Sequence, residues 1–128
     1  MYYTNNKAEI YSFDTKSWTT VAEYPYGSYV GFAPIIHSQN SFFVLGGFTS
    51  EGVSSIIARF DMGTSSWSHA GNLKNGRLDH GAIEVESNFL TIGGYGSLPT
   101  EKCTINTNGD VVSHHWSHHW CVSTNNRI

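Results

Sequence analysis

The chain has 128 residues, which allows one domain at most, and a formal net charge of −3 with its seven Lys and Arg scattered. No basic stripe supports nucleic-acid binding, and no apolar run reaches the ~20 residues that a membrane helix needs, so membrane insertion is not expected either. Charged residues make up 13%, aromatic residues make up 14%, and there are thirteen Gly, which is typical of short β-strands separated by turns.

The first 25 residues predict strands and no targeting signal. The N-terminus, MYYTNNK, lacks the charged-then-apolar order of a secretory signal. We therefore expect a soluble protein whose compartment is undetermined. The cytoplasm is slightly favoured, and an extracellular position stays open if the chain is a fragment. The stretch YSFDTKSW at 11–18 places the aromatic–Asp pair Phe13–Asp14 shortly before Trp18.

Residues 26–72 predict four short strands, at about 29–37, 41–47, 55–61 and 66–70. Clusters of turn-forming residues separate them. The second strand ends in Gly46–Gly47, and the third ends in Phe60–Asp61, followed by a turn and Trp67. No stretch has the 3.6-residue period of an amphipathic helix, so the expected class is all-β.

The same pattern recurs with a period of 47 residues. SFFVLGGF at 41–48 aligns with NFLTIGGYG at 88–96, so that Gly93–Gly94 correspond to Gly46–Gly47. Phe13–Asp14 and Phe60–Asp61 are also 47 apart, whereas Trp18 and Trp67 are 49 apart, which predicts a second turn two residues longer than the first. A period just below 50 residues indicates repeated supersecondary units.

Each repeated residue suits a structural task. A Gly pair at a strand end allows the backbone to turn sharply or to pack closely against a neighbouring sheet. The Trp side chain can fill the space between successive sheets. The Asp carboxylate can accept hydrogen bonds from the backbone amides of the turn that follows.

These residues resemble kelch repeats. The family pattern is a Gly–Gly pair, an aromatic–Asp pair and a Trp after a short turn, in a unit of ~50 residues that forms one four-stranded propeller blade. Gly46–Gly47, Phe60–Asp61 and Trp67 match one complete unit, and the stretch NGRLDHGAIEV at 75–85 resembles the family's innermost strand. In the first inner strand, Gly31–Phe32–Ala33 stand where Arg and His would be expected.

The resemblance implies about two and a half four-stranded kelch blades of an incomplete β-propeller across residues 1–112. Residues 8–25 would form the outer strands of one blade, 26–72 a complete blade and 73–112 the inner strands of the next. Propellers close with about 4–8 blades, so closure requires further blades or further copies. We expect a fragment of a larger propeller. Closure by oligomerisation and a truncated gene product without function are the alternatives.

Residues 113–128 begin with SHHWSHHWC and are expected to form an irregular His/Trp-rich tail. On a helix, the i,i+4 pairs could each chelate Zn²⁺ or Ni²⁺ with the help of Cys121. These pairs are His114 with His118 and His115 with His119. A tandem duplication unrelated to the fold is favoured, because residues 113–128 contain no Asp or Glu to support the ligands.

The two cysteines, Cys103 and Cys121, could form one disulfide. Attractin- and muskelin-type kelch propellers carry a cysteine near the position of Cys103, with its partner close behind. Here the next cysteine follows eighteen residues later, across the histidine tract. Some kelch-family propellers are copper oxidases, but residues 8–100 contain no cysteine. We expect no enzyme activity, no catalytic residue and no cofactor.

The resemblance implies a protein–protein interaction scaffold that presents its loops to an unidentified protein partner. The candidate loops lie near 26–29, 49–52 and 74–79. The candidate contact residues are Tyr26, Tyr29, Arg77 and His80. For Arg77 and His80 the favoured alternative is hydrogen bonding to the backbone and between blades. The alternative function is a metal-binding protein or a metal-dependent enzyme that uses the tail.

Overall fold

The computed structural model describes residues 6–28, 30–95, 100–106 and 108–117, with the backbone alone for 112–117. Thirteen strands in these residues form four antiparallel sheets of two, four, three and four strands, so the expected all-β class is confirmed. The described part of the chain contains no helix that is long and apolar enough to cross a membrane. The strands in chain order are β1 (Ala8–Ser12), β2 (Ser17–Val21), β3 (Val30–Gly31), β4 (Ile35–Ser38), β5 (Ser41–Leu45), β6 (Phe48–Thr49), β7 (Gly52–Val53), β8 (Ile56–Asp61), β9 (Ser66–Asn72), β10 (Gly81–Val85), β11 (Asn88–Ile92), β12 (Thr100–Ile105) and β13 (Val111–Ser117).

Two four-stranded sheets dominate the molecule, and each runs as a meander. The central sheet has the order β4-β5-β8-β9, and the C-terminal sheet has the order β10-β11-β12-β13. Strands β1 and β2 form the N-terminal hairpin, and β3, β6 and β7 form a small sheet at one end of the central sheet. The last three strands of the central sheet start and end within two residues of those expected from the sequence. The first expected strand, 29–37, is wrong over its first half, because β4 begins at Ile35 and Val30–Gly31 pair in the small sheet.

The main core lies between the central and the C-terminal sheets. Side chains alternate between the two faces of a strand, so Phe43 and Leu45 on β5 point to one face and Phe42 and Val44 to the other. Phe43 meets Phe89 of β11 with 4.8 Å between ring centroids. Strand β4 contacts β10 and β9 contacts β13, so the two sheets stack with the same strands facing each other.

A second core lies on the opposite face of the central sheet, toward the N-terminal segment. It contains Tyr24, Val44 and Ala58, with Trp67 packed against them. The Trp67 indole Nε1–H donates to the Ala22 carbonyl at 2.8 Å, and its ring lies 5.3 Å from that of Tyr24. Trp67 thus joins the central sheet to the segment that follows β2.

The N-terminal hairpin repeats the β8–β9 hairpin with a register that differs from the sequence alignment. Trp18 pairs with Tyr11 as Trp67 pairs with Phe60. Phe13 lies in the turn and is 85% exposed, so the alignment of Phe13–Asp14 with Phe60–Asp61 is wrong. The physical reason is that strand pairing places Tyr11, not Phe13, beside the Trp.

The two turns confirm this register. The Thr64 amide donates to Asp61 Oδ1 at 3.3 Å, and the Thr15 amide donates to Ser12 Oγ at the same distance. A Thr–Ser hydroxyl pair spans the turn in both hairpins, at 2.7 Å for Thr64–Ser66 and 2.8 Å for Thr15–Ser17. The two turns therefore have equal length, and the second is not two residues longer.

The expected irregular tail is also wrong over residues 113–117, because these residues belong to strand β13. It pairs with β12, from Thr100 opposite Ser117 to Ile105 opposite Val111. The C-terminal sheet therefore has four strands rather than the inner strands alone. The Asn108–Gly109 turn expected from the sequence precedes β13, and the Asn106 side chain accepts hydrogen bonds from the Asn108 and Asp110 amides.

The glycine pair after β5 makes both a sharp turn and a close approach. Gly46 and Gly47 have φ of +66° and +98°, which L-residues with side chains rarely adopt. A Cβ on Gly46 would lie 2.8 Å from the Arg77 carbonyl oxygen, and one on Gly47 would lie 2.7 Å from the Cβ of Ala33. Gly93 and Gly94 after β11 also have positive φ.

Candidate functional site

Three segments meet at the end of the central sheet where β5 ends and β8 begins. The segment before β3 is joined to the β6–β7 turn by the Ser28 amide, which donates to Ser50 Oγ at 2.9 Å. The segment after β9 is joined to the same region by the Arg77 amide, which donates to the Ser54 carbonyl at 3.2 Å. The three loops expected to contact a partner therefore lie at one end of the molecule.

A cleft of about 410 Å³ opens between the first two of these loops. It is lined by residues 25–27, 49 and 51–56, and we call it the loop cleft. Its hydroxyl groups mostly hold the loops in place. The Thr49 hydroxyl donates to the Gly52 carbonyl at 3.1 Å and accepts from the Glu51 amide at 3.1 Å. Ser54 Oγ accepts from the Ile56 amide at 3.0 Å.

Tyr26 and Glu51 give the loop cleft its chemical character. The Tyr26 ring packs at 5.6 Å from Tyr24 and at 6.0 Å from His69, so its position is fixed by aromatic neighbours on two sides. Burial, and secondarily the neighbouring Tyr26, raise the pKa of Tyr24 to about 12, so the Tyr24 phenol is neutral at pH 7. The exposed Glu51 supplies a carboxylate at the rim.

Outside the loop cleft, two polar side chains connect the neighbour of Tyr26 to Ser55, which lines the cleft. His69 Nε2 and Asn72 Oδ1 are 2.9 Å apart, and Asn72 Nδ2 donates to Ser55 Oγ at 3.0 Å. The loop cleft thus combines an aromatic ring, a carboxylate and polar side chains. Such a surface can bind the positively charged or hydrogen-bonding side chains of another protein.

Arg77 lies beneath the loops, with 1% of its surface exposed. Its Nη2 donates to Glu101 Oε2 at 3.1 Å, and both side chains are fully buried. Its Nη1 donates to the Gly93 carbonyl at 3.0 Å, and its own carbonyl accepts from the Gly47 amide at 2.8 Å. Arg77 therefore connects the Gly–Gly segments of both large sheets.

Glu101 completes this buried connection. Its Oε1 accepts from the Lys74 amide at 2.6 Å, and its Oε2 accepts from the Asn75 amide at 2.8 Å as well as from Arg77. A buried carboxylate with a guanidinium and two amide donors is compensated in charge and in hydrogen bonding. The backbone of Lys74–Arg77 is thereby held at a fixed position beside the loop cleft.

His80 is also buried, at the boundary between the two large sheets. Burial, and next the positive charge of Arg77, lower the pKa of His80 to about 4. The imidazole is therefore neutral at pH 7. Neither Arg77 nor His80 is available to a partner in this structure. For Arg77, the bond to the Gly93 carbonyl agrees with the backbone hydrogen bonding favoured from sequence, whereas bonding between blades stays a prediction.

Of the remaining candidate residues, Tyr26 lies in the loop cleft and Tyr29 lies outside the described residues. The sequence analysis placed Thr49–Gly52 among the contact loops but did not single out Glu51. It also did not find Glu101, although a Glu at an inward-facing strand position was a usable signal.

Within the part of the chain that the structure describes, no site supports the metal-binding alternative. His114 and His115 lie on strand β13, so the helical arrangement required for i,i+4 chelation is wrong for these two residues. His118, His119 and Cys121 lie outside the described residues. Within the described part, no group of three or more His, Cys, Asp or Glu side chains could hold a metal ion.

Cys103 is a buried core residue on β12. Burial, and next the charge of Glu101, raise the pKa of its thiol to about 12. The thiol is therefore protonated at neutral pH, which makes it a poor nucleophile. Its pairing with Cys121 remains a prediction because Cys121 lies outside the described residues.

Comparison with known proteins adds no functional assignment. No protein-family model and no curated protein matches this chain.

Proposed function

We propose that the chain is a protein–protein interaction scaffold built from kelch-type propeller blades, and that the loop cleft is its contact surface. The central and the C-terminal sheets would be two blades, and the N-terminal hairpin would be the outer half of a third. Closure of the propeller would require further blades or further copies.

Three features support the propeller interpretation. Both large sheets are four-stranded meanders, and each carries a Gly–Gly pair with positive φ after its second strand. The sheets stack face to face with equivalent strands side by side, as neighbouring blades do. Trp67 fills the space between the central sheet and the N-terminal segment, which is the task of the kelch Trp.

The contact of Ser28 with Ser50 carries the functional part of the proposal, because it brings the first two predicted contact loops together around one cleft. Tyr26 supplies an aromatic ring of the kind that is enriched where interfaces bind most strongly. Glu51 supplies a negative charge at the rim. We therefore expect the partner to insert an Arg or a Lys side chain between these two residues.

The proposal is tested by site-specific photocrosslinking in cells that express the chain. A benzophenone amino acid replaces Val53, an exposed residue of the loop cleft, in one variant and Thr64, which lies in a turn at the opposite end, in the control. We expect one discrete protein adduct from position 53 and none from position 64. Equal adducts from both positions, or none from either, would count against the loop cleft as the contact surface.

A second measurement tests the residues themselves. The Tyr26→Ala and Glu51→Gln substitutions are expected to weaken recovery of the crosslinked partner at least tenfold, about 1.4 kcal/mol, while the unfolding midpoint changes little. The Thr64→Ala substitution is the matched control and is expected to leave recovery unchanged.

A further inference from the structure

The chain contains two Asn–Gly sequences, Asn75–Gly76 between β9 and β10 and Asn108–Gly109 between β12 and β13. In such a sequence the amide nitrogen of the Gly can attack the side-chain carbonyl carbon of the Asn, because Gly has no side chain to hinder the approach. The attack needs an amide nitrogen that is not held in a hydrogen bond. The structure distinguishes the two sequences on this point.

The Asn108–Gly109 sequence is held in a hydrogen-bonded turn. The Gly109 amide donates to the Asn106 carbonyl at 3.0 Å. The amides of Asn108 and Asp110 both donate to Asn106 Oδ1, at 2.9 Å and 3.0 Å. The Arg59 side chain packs against this turn, since a Cβ on Gly109 would lie 2.5 Å from Arg59 Nε. Attack by the Gly109 nitrogen therefore requires the turn to open first.

In the Asn75–Gly76 sequence the two reacting groups are not held. Within the described residues, neither the Gly76 amide nor the Asn75 carboxamide makes a hydrogen bond. Both residues are half-buried, so they keep contact with water. The amides on either side are bound, the Asn75 amide to Glu101 Oε2 at 2.8 Å and the Arg77 amide to the Ser54 carbonyl at 3.2 Å. The Gly76 nitrogen is thus a free nucleophile between two bound amides.

We propose that Asn75 is a site of spontaneous modification in the folded protein, by deamidation and isomerisation to isoaspartate. The Gly76 nitrogen loses its proton and forms a bond to Asn75 Cγ, and the carboxamide C–N bond breaks to release ammonia. Water then hydrolyses the cyclic imide. Cleavage between the Gly76 nitrogen and the main-chain carbonyl carbon leaves isoaspartate, whereas cleavage of the new bond to Cγ leaves aspartate.

The position of Asn75 couples this modification to the buried Arg77–Glu101 pair. Glu101 Oε2 accepts from the Asn75 amide at 2.8 Å and from Arg77 Nη2 at 3.1 Å. Isoaspartate carries its Cβ in the main chain, so the chain between these two donors becomes longer. Its carboxylate also adds a negative charge close to that of Glu101. The Arg77 carbonyl accepts from the Gly47 amide at 2.8 Å, so the disturbance reaches the central sheet.

The rate of modification is measured by incubating the full chain at mildly alkaline pH and mapping its peptides by chromatography and mass spectrometry. In the folded chain, isoaspartate and aspartate are expected to accumulate at position 75 at least about tenfold faster than at position 108, whose turn must open. In urea, where neither loop persists, the two Asn–Gly sequences are expected to react at similar rates. This control separates the effect of the fold from that of the local sequence.

Variants test the coupling to the buried pair. The incubated original chain is expected to gain a fraction with faster hydrogen exchange at the Gly47 amide and a lower unfolding midpoint. Asn75→Gln keeps a carboxamide but would have to close a larger ring, so this variant is expected to keep its initial values during the same incubation. Asn108→Gln is the matched control and is expected to change as the original chain does.

Two results would overturn the proposed modification site. They are the absence of conversion at position 75 in the folded chain, and conversion at position 108 that is as fast or faster. Conversion at position 75 that leaves the exchange of the Gly47 amide unchanged would overturn the coupling to Arg77 and Glu101. These measurements do not depend on whether the loop cleft binds a partner.

Discussion

Arg77 bonds to groups that lie far apart in the sequence but adjacent in space. Its side chain reaches Glu101, 24 residues later, and the carbonyl of Gly93 in the C-terminal sheet. Its backbone holds Gly47 and Ser54 of the central sheet. A single residue thus fixes the distance between the two sheets at the end that carries the loop cleft.

Replacement of Arg77 by Met is expected to lower the free energy of unfolding by about 3–5 kcal/mol, because it leaves the buried Glu101 carboxylate without its counter-charge. The double variant Arg77→Met/Glu101→Gln removes that unpaired charge and is expected to be more stable than Arg77→Met alone. Urea unfolding followed by tryptophan fluorescence measures both. Destabilisations that simply add would contradict the coupling.

His80 predicts a pH dependence of stability. Its pKa is about 4 in the folded protein, against about 6.5 in the unfolded chain. The unfolded chain therefore takes up the proton at a higher pH than the folded protein does. The free energy of unfolding is expected to fall as the pH is lowered from 6.5 to 4. His80→Gln is expected to flatten this fall, and an unchanged pH profile would contradict the assignment. Arg77, Glu101 and Asp79, the charged neighbours of position 80, are present both in the original protein and in the His80→Gln variant. The difference between the two pH profiles therefore reports on His80.

Gly47 has a second residue-scale consequence. Gly47→Ala combines a positive φ, which costs about 1–2 kcal/mol, with overlap against Ala33, which costs a further 1–3 kcal/mol. Thermal unfolding is expected to show a total loss of about 2–5 kcal/mol. Gly81→Ala is the control, since a Cβ there would have no neighbour within 4 Å. Equal losses in the two variants would show that close approach at Gly47 is unimportant.

At the scale of elements, alternation and turn residues predicted the last three strands of the central sheet, because turns with their own chemical signals bound them. The first strand begins at Ile35 and not near residue 29, because the backbone turns at Phe32, whose φ is +55°. The sequence alignment of the N-terminal hairpin was wrong because Phe13–Asp14 is identical in sequence to Phe60–Asp61, whereas the pairing of Tyr11 with Trp18 determines the register. Sequence identity alone does not reveal which residue lies opposite another across two strands.

Strand β13 escaped prediction for a different reason. Its sequence, VVSHHWS, lacks the alternating apolar pattern of a strand. Its pairing with β12 uses backbone hydrogen bonds, which this pattern does not reveal. In the strand register, Cys103 occupies the place of Phe60, and His114, which pairs with Cys103, occupies the place of Trp67. The tertiary context at the edge of β12 therefore outweighs the local propensity.

A chain that ends at Asp110 tests the role of β13. Loss of this strand leaves the outer edge of β12 without its partner, so we expect faster hydrogen exchange at the amides of Lys102 and Thr104 and a lower unfolding midpoint. A chain that ends at Ser117 is the control and is expected to keep the midpoint of the full chain. Equal midpoints for the two shortened chains would contradict a structural role for β13.

At the scale of the whole molecule, the stacking of sheets leaves apolar side chains on the outer face of the C-terminal sheet. Ile83, Val85 and Ile92 are exposed there, and Tyr95 is exposed just beyond. Stacked sheets that do not close into a ring leave an apolar face exposed. The buried Arg77–Glu101 pair could not be predicted from the sequence, because the pair depends on how two neighbouring sheets align.

These exposed residues predict concentration-dependent association of the chain. Sedimentation velocity is expected to show a rising average mass with concentration, and Ile83→Lys/Ile92→Lys is expected to reduce it. Thr15→Lys/Thr64→Lys, which adds the same two charges at exposed turns, is the control. Equal reduction by this control would indicate a general effect of charge instead of a contact through this face.

The Arg77–Glu101 bond also has a consequence for biosynthesis. The ribosome releases the chain from its N-terminus, and the four strands of the central sheet are complete once Asn72 has emerged. Its Gly46–Gly47 segment, however, is held by Arg77, whose guanidinium gains its counter-charge only when residue 101 appears. We therefore expect the central sheet to fold during translation while its end near Gly46–Gly47 is still mobile. That end becomes fixed about thirty residues later, when Glu101 has been added to the chain.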